Sequence, residues 1–208
     1  KPHLPFIAPE KYWNYYPIED NNDYSNLYTP TSDVLDASAN ATPYSYTNWN
    51  ELRTYDNIPQ ITDSDARNRT DPVSSEQKIN LIRGYQSCVS YIDEQVGKLI
   101  TQLEDTTNSI NINNTIIILW GDQGFHIGNK GQWCKHTNFD TATRIPLIIR
   151  DPRKLGGVRI NNIVEALDIY PTLKTLCNLE SANTSHQLEG KNLSNYLSYS
   201  TSNQNLSW

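Results

Sequence analysis

The run Thr115-Ile116-Ile117-Ile118-Leu119-Trp120, stopped by Gly121-Asp122-Gln123-Gly124, constrains the fold of this chain more than any other stretch. A strand of β-branched residues without polar alternation needs cover on both faces, which a parallel sheet layered with helices supplies. A second run, Pro146-Leu147-Ile148-Ile149, ends at Arg150-Asp151-Pro152 and reads as another buried strand. Ahead of the first strand, Ile79, Ile82, Tyr85, Val89, Ile92, Val96, Leu99, Ile100 and Leu103 recur at three- and four-residue steps. They predict a helix of about 30 residues with one apolar stripe. Ser74 or Ser75 can cap its start, with Gln77 or Lys78 in the first turn. Gly84 and Gly97 each cost about 1 kcal/mol against alanine, so they mark close packing against a neighbour.

Beyond the second strand, Val164 to Leu179 predicts a helix with Ile169, Leu173 and Leu176 on one side and Pro171 in its first turns. Leu188 to Leu197 predicts a short final helix. Helix–strand–loop–strand–helix order defines an α/β layer architecture. The stretch before it, residues 1–71, is loop-rich: Pro2, Pro5, Pro9, Pro17, Pro30, Pro43 and Pro59 discourage helix over most of it. Only Lys1–Phe6, with its Leu-Pro-Phe, reads as extended. The organisation expected is therefore a loop-rich part at 1–71, an α/β part at 72–197, and a polar tail at 198–208. The chain starts at Lys1 and contains no methionine, from which a piece of a longer protein is expected.

Composition excludes some functions. A net charge of −6 and a pI near 5.2, with no basic stripe, argue against nucleic acid as a partner. No apolar run approaches the length of a membrane span. Five Trp and 13 Tyr argue against disorder, although hydrophobic residues make up only 37%. Cys88, Cys134 and Cys177 form no metal-type pair and no disulfide framework, and each reads as a small buried hydrophobe. Glycosylation sequons begin at Asn40, Asn68, Asn113, Asn183, Asn192 and Asn205, little above what the Asn, Ser and Thr content produces by chance.

Ligands of α/β sheets bind where strands end. Asp122 and Gln123 lie there and offer a carboxylate and an amide oxygen, the donor types of hard cations such as Ca²⁺ or Mg²⁺. An ordinary Asp–Gly turn, with the side chain on its own backbone, is the alternative. Downstream, Gly128-Asn129-Lys130-Gly131-Gln132-Trp133-Cys134-Lys135-His136 sets two lysines and a histidine in a glycine-rich loop. A buried lysine there can hold an oxyanion, and a solvated basic loop is the alternative. His126, Cys134 and His136 match no structural zinc spacing. His3 can act as acid, base or donor, although lone histidines are more often structural. No activated nucleophile is visible.

The segments Lys1-Pro-His-Leu-Pro-Phe, Tyr91-Ile-Asp-Glu-Gln-Val-Gly-Lys-Leu, Trp120-Gly-Asp-Gln-Gly-Phe-His-Ile-Gly and Trp133-Cys-Lys-His-Thr-Asn-Phe-Asp resemble the sulfatases. So do Arg144-Ile-Pro-Leu-Ile, Glu165-Ala-Leu-Asp-Ile-Tyr-Pro-Thr-Leu and Leu188-Glu-Gly-Lys-Asn-Leu. The likeness is nearest to the iduronate-2-sulfatase type. It runs in order from Lys1 to about Leu197 and is weakest between Asn21 and Thr70. It implies an α/β, alkaline-phosphatase-like sandwich with a mostly parallel sheet covered by helices, here incomplete. The implied activity is hydrolysis of sulfate esters of carbohydrate, such as a glycosaminoglycan uronate 2-sulfate.

The resemblance also implies roles. Asp122 and Gln123 fall on metal positions for one Ca²⁺, with further ligands upstream. Gln123 stands where His, Asn or Gln is found in relatives. Lys135 falls on the lysine that contacts the sulfate, and His3 on the histidine placed to protonate the leaving alcohol. His136 joins them in binding substrate. The family's Gly-Glu-His-Gly reads Gly128-Asn-Lys-Gly here, a departure that bears on pocket charge.

The formylglycine motif Cys-x-Pro/Ala-Ser-Arg is matched by none of the three cysteines. It and the paired calcium aspartates belong upstream, and the small C-terminal subdomain belongs downstream. The segment alone is thus expected to be inactive, and the remainder of the same domain is its expected partner. A lysosomal, secreted or periplasmic location is implied. The alternatives are a phosphoesterase of the same superfamily and a non-catalytic, sulfatase-like binding protein.

Overall fold

The computed structural model describes residues 2–18, 41–47, 49–55, 62, 64, 73–154, 156–179 and 187–198. The polar tail beyond residue 198 and the sequons at Asn40, Asn68, Asn183 and Asn205 lie outside them. The chain divides into two compact units, one of residues 1–101 and 120–146, the other of residues 102–119 and 147–208.

The first unit is organised by helix α2, Ser75–Glu104, thirty residues long as its periodicity predicts. Ser74 and Gln77 form a reciprocal cap. Ser74 Oγ accepts the Gln77 backbone N–H at 3.2 Å, and the Ser74 N–H donates to Gln77 Oε1 at 2.9 Å. Burial concentrates in the first half of the helix, at Ile79, Ile82, Gly84, Ser87 and Cys88, whereas Leu99 further along is 66% exposed. The apolar stripe is therefore only partly covered. Gly84 is a close-packing site: a Cβ there would lie 2.9 Å from Phe6 Cβ and 3.0 Å from a Trp13 ring atom. Among the described residues nothing lies within 4 Å of a Cβ placed at Gly97, so they give it no packing role.

A short helix α1, Glu10–Trp13, lies on this part of α2, with Arg83 donating to the Trp13 carbonyl and Tyr16 hydrogen-bonded to Ser90. No strand forms at the opening Leu-Pro-Phe; the chain bends there. The core of the unit gathers Leu4, Trp49, Leu52, Val73, Ile79, Ile82, Ile127, Trp133 and Cys134. Phe6, Tyr85 and Phe125 pack against it as an aromatic trio with centroids 5.6–5.9 Å apart. Strands β2, His126–Ile127, and β3, Trp133–Cys134, form an antiparallel pair joined by a tight loop. Helix α3, Asp140–Thr143, follows.

In the second unit, strand β1 (Ile117–Trp120, whose last residue belongs to the first unit) pairs with β4, Leu147–Arg150. Both lie where the apolar runs predict strands. Their burial does not follow the expectation: Leu119, Trp120 and Ile148 are 41%, 51% and 59% exposed. Two strands cannot cover each other's faces, and among the described residues no third strand joins the pair.

The predicted helix 164–179 resolves into a 3₁₀ turn, Ala166–Asp168, followed by α4, Ile169–Leu176. Asp168 is the reason for the break. Its carboxylate accepts the Glu165 N–H at 2.9 Å, closing a capping box, and the Lys191 N–H at 2.7 Å. Thr172 Oγ1 donates to the Asp168 carbonyl and accepts the Leu193 N–H at 2.8 Å. The short final helix is a 3₁₀ segment, Ser194–Ser198. Cys88 and Cys134 are buried as expected, but Cys177, at the end of α4, is exposed.

Candidate active site

The site is built on the core of the first unit. Leu4, Leu52 and Cys134 are core residues, 7%, 2% and 1% exposed. Their chain neighbours His3, Glu51 and Lys135 converge at the surface. Lys135 Nζ lies 2.9 Å from Glu51 Oε1 and 3.2 Å from His3 Nε2, and His3 Nε2 lies 3.2 Å from the same Glu51 oxygen. Three distant stretches thus meet, each anchored by an apolar residue one position away. Cys134 adopts φ = 67°, a left-handed conformation unusual for a residue with a Cβ. The turn ends β3 and sends Lys135 out of the core.

The side chains of Lys135 and Glu51 are 12% and 15% exposed, that of His3 52%. His3 Nδ1 lies 2.6 Å from the Leu4 carbonyl oxygen, which can only accept, so Nδ1 carries a proton and Nε2 faces the other two groups. Glu51 Oε2 is buried with no hydrogen-bond partner among the described residues.

Beside Lys135 opens a pocket of about 490 Å³, lined by Thr42, Tyr44, Ser45 and Thr47 on one side and by Lys135 to Phe139 on the other. His136 belongs to this wall and is exposed. The two walls are tied by the buried Gln132, whose Oε1 accepts the Thr47 N–H at 3.0 Å. Lys130, the second lysine of the loop, has φ = 56° and sits over the Phe139 ring at 5.6 Å. Only one of the two loop lysines therefore joins the His3 cluster.

Asp122 follows β1 and is exposed; Gln123 is half-buried. The Asp–Gly turn alternative does not describe this loop. The Gly124 N–H donates to the Ala142 carbonyl at 2.8 Å instead of closing a turn on Asp122. A Cβ at Gly124 would collide with the Thr141 carbonyl oxygen. Asp122 is left with a hard oxygen pair uncommitted among the described residues, which suits a divalent cation by donor type. No group of three or more His, Cys, Asp or Glu forms a metal cluster among the described residues.

His126 and Cys134 face each other across β2 and β3, but His126 Nε2 bonds Thr137 Oγ1 at 2.8 Å. Burial holds the His126 pKa down to about 4 and pushes the Cys134 thiol up to about 12, so Cys134 is an inert thiol.

His3 and Lys135 are legible as site residues in the sequence, and Glu51 is not. In sequence it is one acidic residue in Trp49-Asn50-Glu51-Leu52-Arg53, within a Pro-, Tyr- and Asn-rich stretch. The one available signal was a charged residue between two large apolar ones, which turn out to be buried.

The fold is of the alkaline-phosphatase-like α/β class. It superposes on phosphonate monoester hydrolase of Agrobacterium radiobacter with a TM-score of 0.64 at 22% identity, over 97% of this chain and 38% of that one. The family profile "Sulfatase" matches residues 1–179. The chain belongs to the sulfatase family.

A sulfatase of Formosa agariphila is 31% identical over 185 residues, covering 87% of this chain and 31% of its own length. Human iduronate 2-sulfatase is 29% identical over 205 residues, covering 86% of this chain and 35% of its own length. The chain thus spans about a third of the relatives it matches. No helix among the described residues is long and apolar enough to cross a membrane.

Proposed function

We propose that this chain forms the sulfate-holding part of a sulfuric ester hydrolase acting on sulfated carbohydrate. The observation that carries the proposal is Lys135: a largely buried ammonium, adjoining a histidine, on the rim of a pocket wide enough for a sugar ring. A cation with little solvent around it is an effective partner for a sulfate oxygen, because the low local dielectric strengthens the attraction. Hydroxyl-bearing Thr42, Tyr44, Ser45, Thr47 and Thr137 line the pocket, which suits the hydroxyls of a sugar. His136, exposed on the same wall, is a further substrate contact. A uronate 2-sulfate is the particular ester proposed, by similarity to the iduronate 2-sulfatases.

Asp122 and Gln123 would hold one divalent cation, proposed as Ca²⁺, together with ligands from outside the described residues. Such a cation, when bound, neutralises negative charge on the sulfuryl oxygens. Lys135, at the pocket, would add a further positive charge beside the sulfate. His3 Nε2 delivers a proton to the oxygen of the departing alcohol. The division into a loop-rich 1–71, an α/β part at 72–197 and a polar tail at 198–208 is proposed as the organisation of this part of one catalytic domain. A lysosomal, secreted or periplasmic location is proposed with it.

The test is a parallel assay of the complete protein, with the residues that flank these 208 in its gene, on a sulfated monosaccharide and on a phosphonate monoester of matched leaving group. The expected outcome is faster hydrolysis of the sulfate. Faster phosphonate hydrolysis would move the protein to the phosphoesterase reading, and no hydrolysis of either would favour a non-catalytic binding protein.

A further inference from the structure

We infer that Glu51 is a positioning residue that holds His3 and Lys135 together so that the histidine can carry its transferable proton beside a lysine. The inference rests on the sulfate-ester reading above. His3 and Lys135 are 3.2 Å apart, a separation at which an imidazolium and an ammonium repel strongly. Glu51 Oε1 touches both, at 3.2 Å and 2.9 Å, and supplies the compensating charge from a single atom.

The hydrogen-bond inventory makes the arrangement two-state. Nδ1 of His3 is committed to the Leu4 carbonyl, so only Nε2 changes its protonation. When Nε2 is bare it accepts from Lys135. When Nε2 is protonated it donates to Glu51 Oε1. The two states need no backbone movement, because Leu4, Leu52 and Cys134, each one position from one of the three groups, anchor their backbone in the core. Of the three side chains His3 is the most exposed, so it is the one a substrate reaches first, and its proton passes from the Glu51 contact to the substrate.

A purely structural ion pair would be built differently. Glu51 loads one oxygen twice and leaves the other buried without a partner among the described residues, a costly way to gain stability.

In the step that uses this proton, an oxygen nucleophile bonds to sulfur as the bond from sulfur to the alcohol oxygen breaks. The alcohol oxygen keeps the electron pair and takes the proton from Nε2, leaving a neutral imidazole.

The experiment compares the complete protein with its Glu51→Gln variant on two sulfate esters. One is a sugar or alkyl sulfate, whose alkoxide must be protonated as it leaves. The other is 4-nitrophenyl sulfate, whose phenolate leaves without a proton. Losing acid assistance costs on the order of 100-fold or more on the first ester. On the second the loss is expected to be at least tenfold smaller, and Glu51→Asp should recover part of the difference. Should Glu51→Gln fail to fold, Glu51→Asp must itself show the same split between the two esters at smaller size. Equal losses on both esters, or no loss on either, overturn the role of Glu51 alone. A wild-type protein inactive on both overturns the sulfate-ester reading and this inference with it.

Discussion

Gln132 Oε1 accepts the backbone N–H of Thr47 at 3.0 Å, a bond between residues 85 positions apart with Gln132 itself only 1% exposed. It joins the hydroxyl-rich wall of the pocket to the strand that leads into Lys135. Removing it leaves a donor unpaired and opens a cavity at the same time. Gln132→Ala is expected to cost about 2 kcal/mol of stability, read from urea unfolding. With the wall loosened, KM for a sugar sulfate should rise more than kcat falls. An unchanged KM in a destabilised protein would show that the wall does not contact substrate.

Asp168 ties together two of the stretches that resemble the sulfatases, residues 165–173 and 188–193. Its carboxylate accepts from the Glu165 and Lys191 N–H groups, Thr172 Oγ1 donates to its backbone carbonyl and accepts from the Leu193 N–H, and a Cβ at Gly190 would collide with the Leu167 carbonyl. Those stretches are joints of the fold, and no substrate group is needed to explain them. Asp168→Ala leaves two backbone donors without their carboxylate and is expected to cost about 3 kcal/mol. A midpoint shift in chemical denaturation checks it.

His126 provides a pH dependence with a definite sign. Its folded pKa, about 4, lies below the 6.5 of a free histidine because burial disfavours the charged ring. Above pH 6.5 both folded and unfolded states hold it neutral, and it costs nothing. As pH falls from 6.5 towards 4, the unfolded state takes up a proton that the folded state refuses, and stability drops by up to about 3 kcal/mol. Below pH 4 the slope from this residue vanishes. Urea midpoints from pH 7.5 to 3.5 should show the slope in the native protein and lack it in His126→Asn.

Local features were the legible ones. The cap at Ser74 and Gln77 and the period of α2 are written in neighbouring residues, and helix α2 follows them. Strand positions followed from β-branched runs for the same reason. Burial did not, because the cover over Leu119 or Ile148 depends on distant parts of the chain. The same limit hid Glu51, whose meaning depends on residues 48 and 84 positions away. Lys135 and Asp122 stand out only by resemblance, since their spacing fits a solvated loop and a simple turn equally well. The Gly124 N–H bonded to Ala142 now explains why the turn does not close on Asp122.

The central claim is that Lys135 holds the sulfate. The most direct measurement is kcat/KM of the complete protein and its Lys135→Ala variant on a sulfated monosaccharide, with thermal unfolding recorded for both. The account predicts a loss of about 100-fold or more in a variant that still unfolds cooperatively, at a lowered temperature because Glu51 loses its ammonium partner. A folded Lys135→Ala protein that hydrolyses the ester as fast as the native one would contradict it.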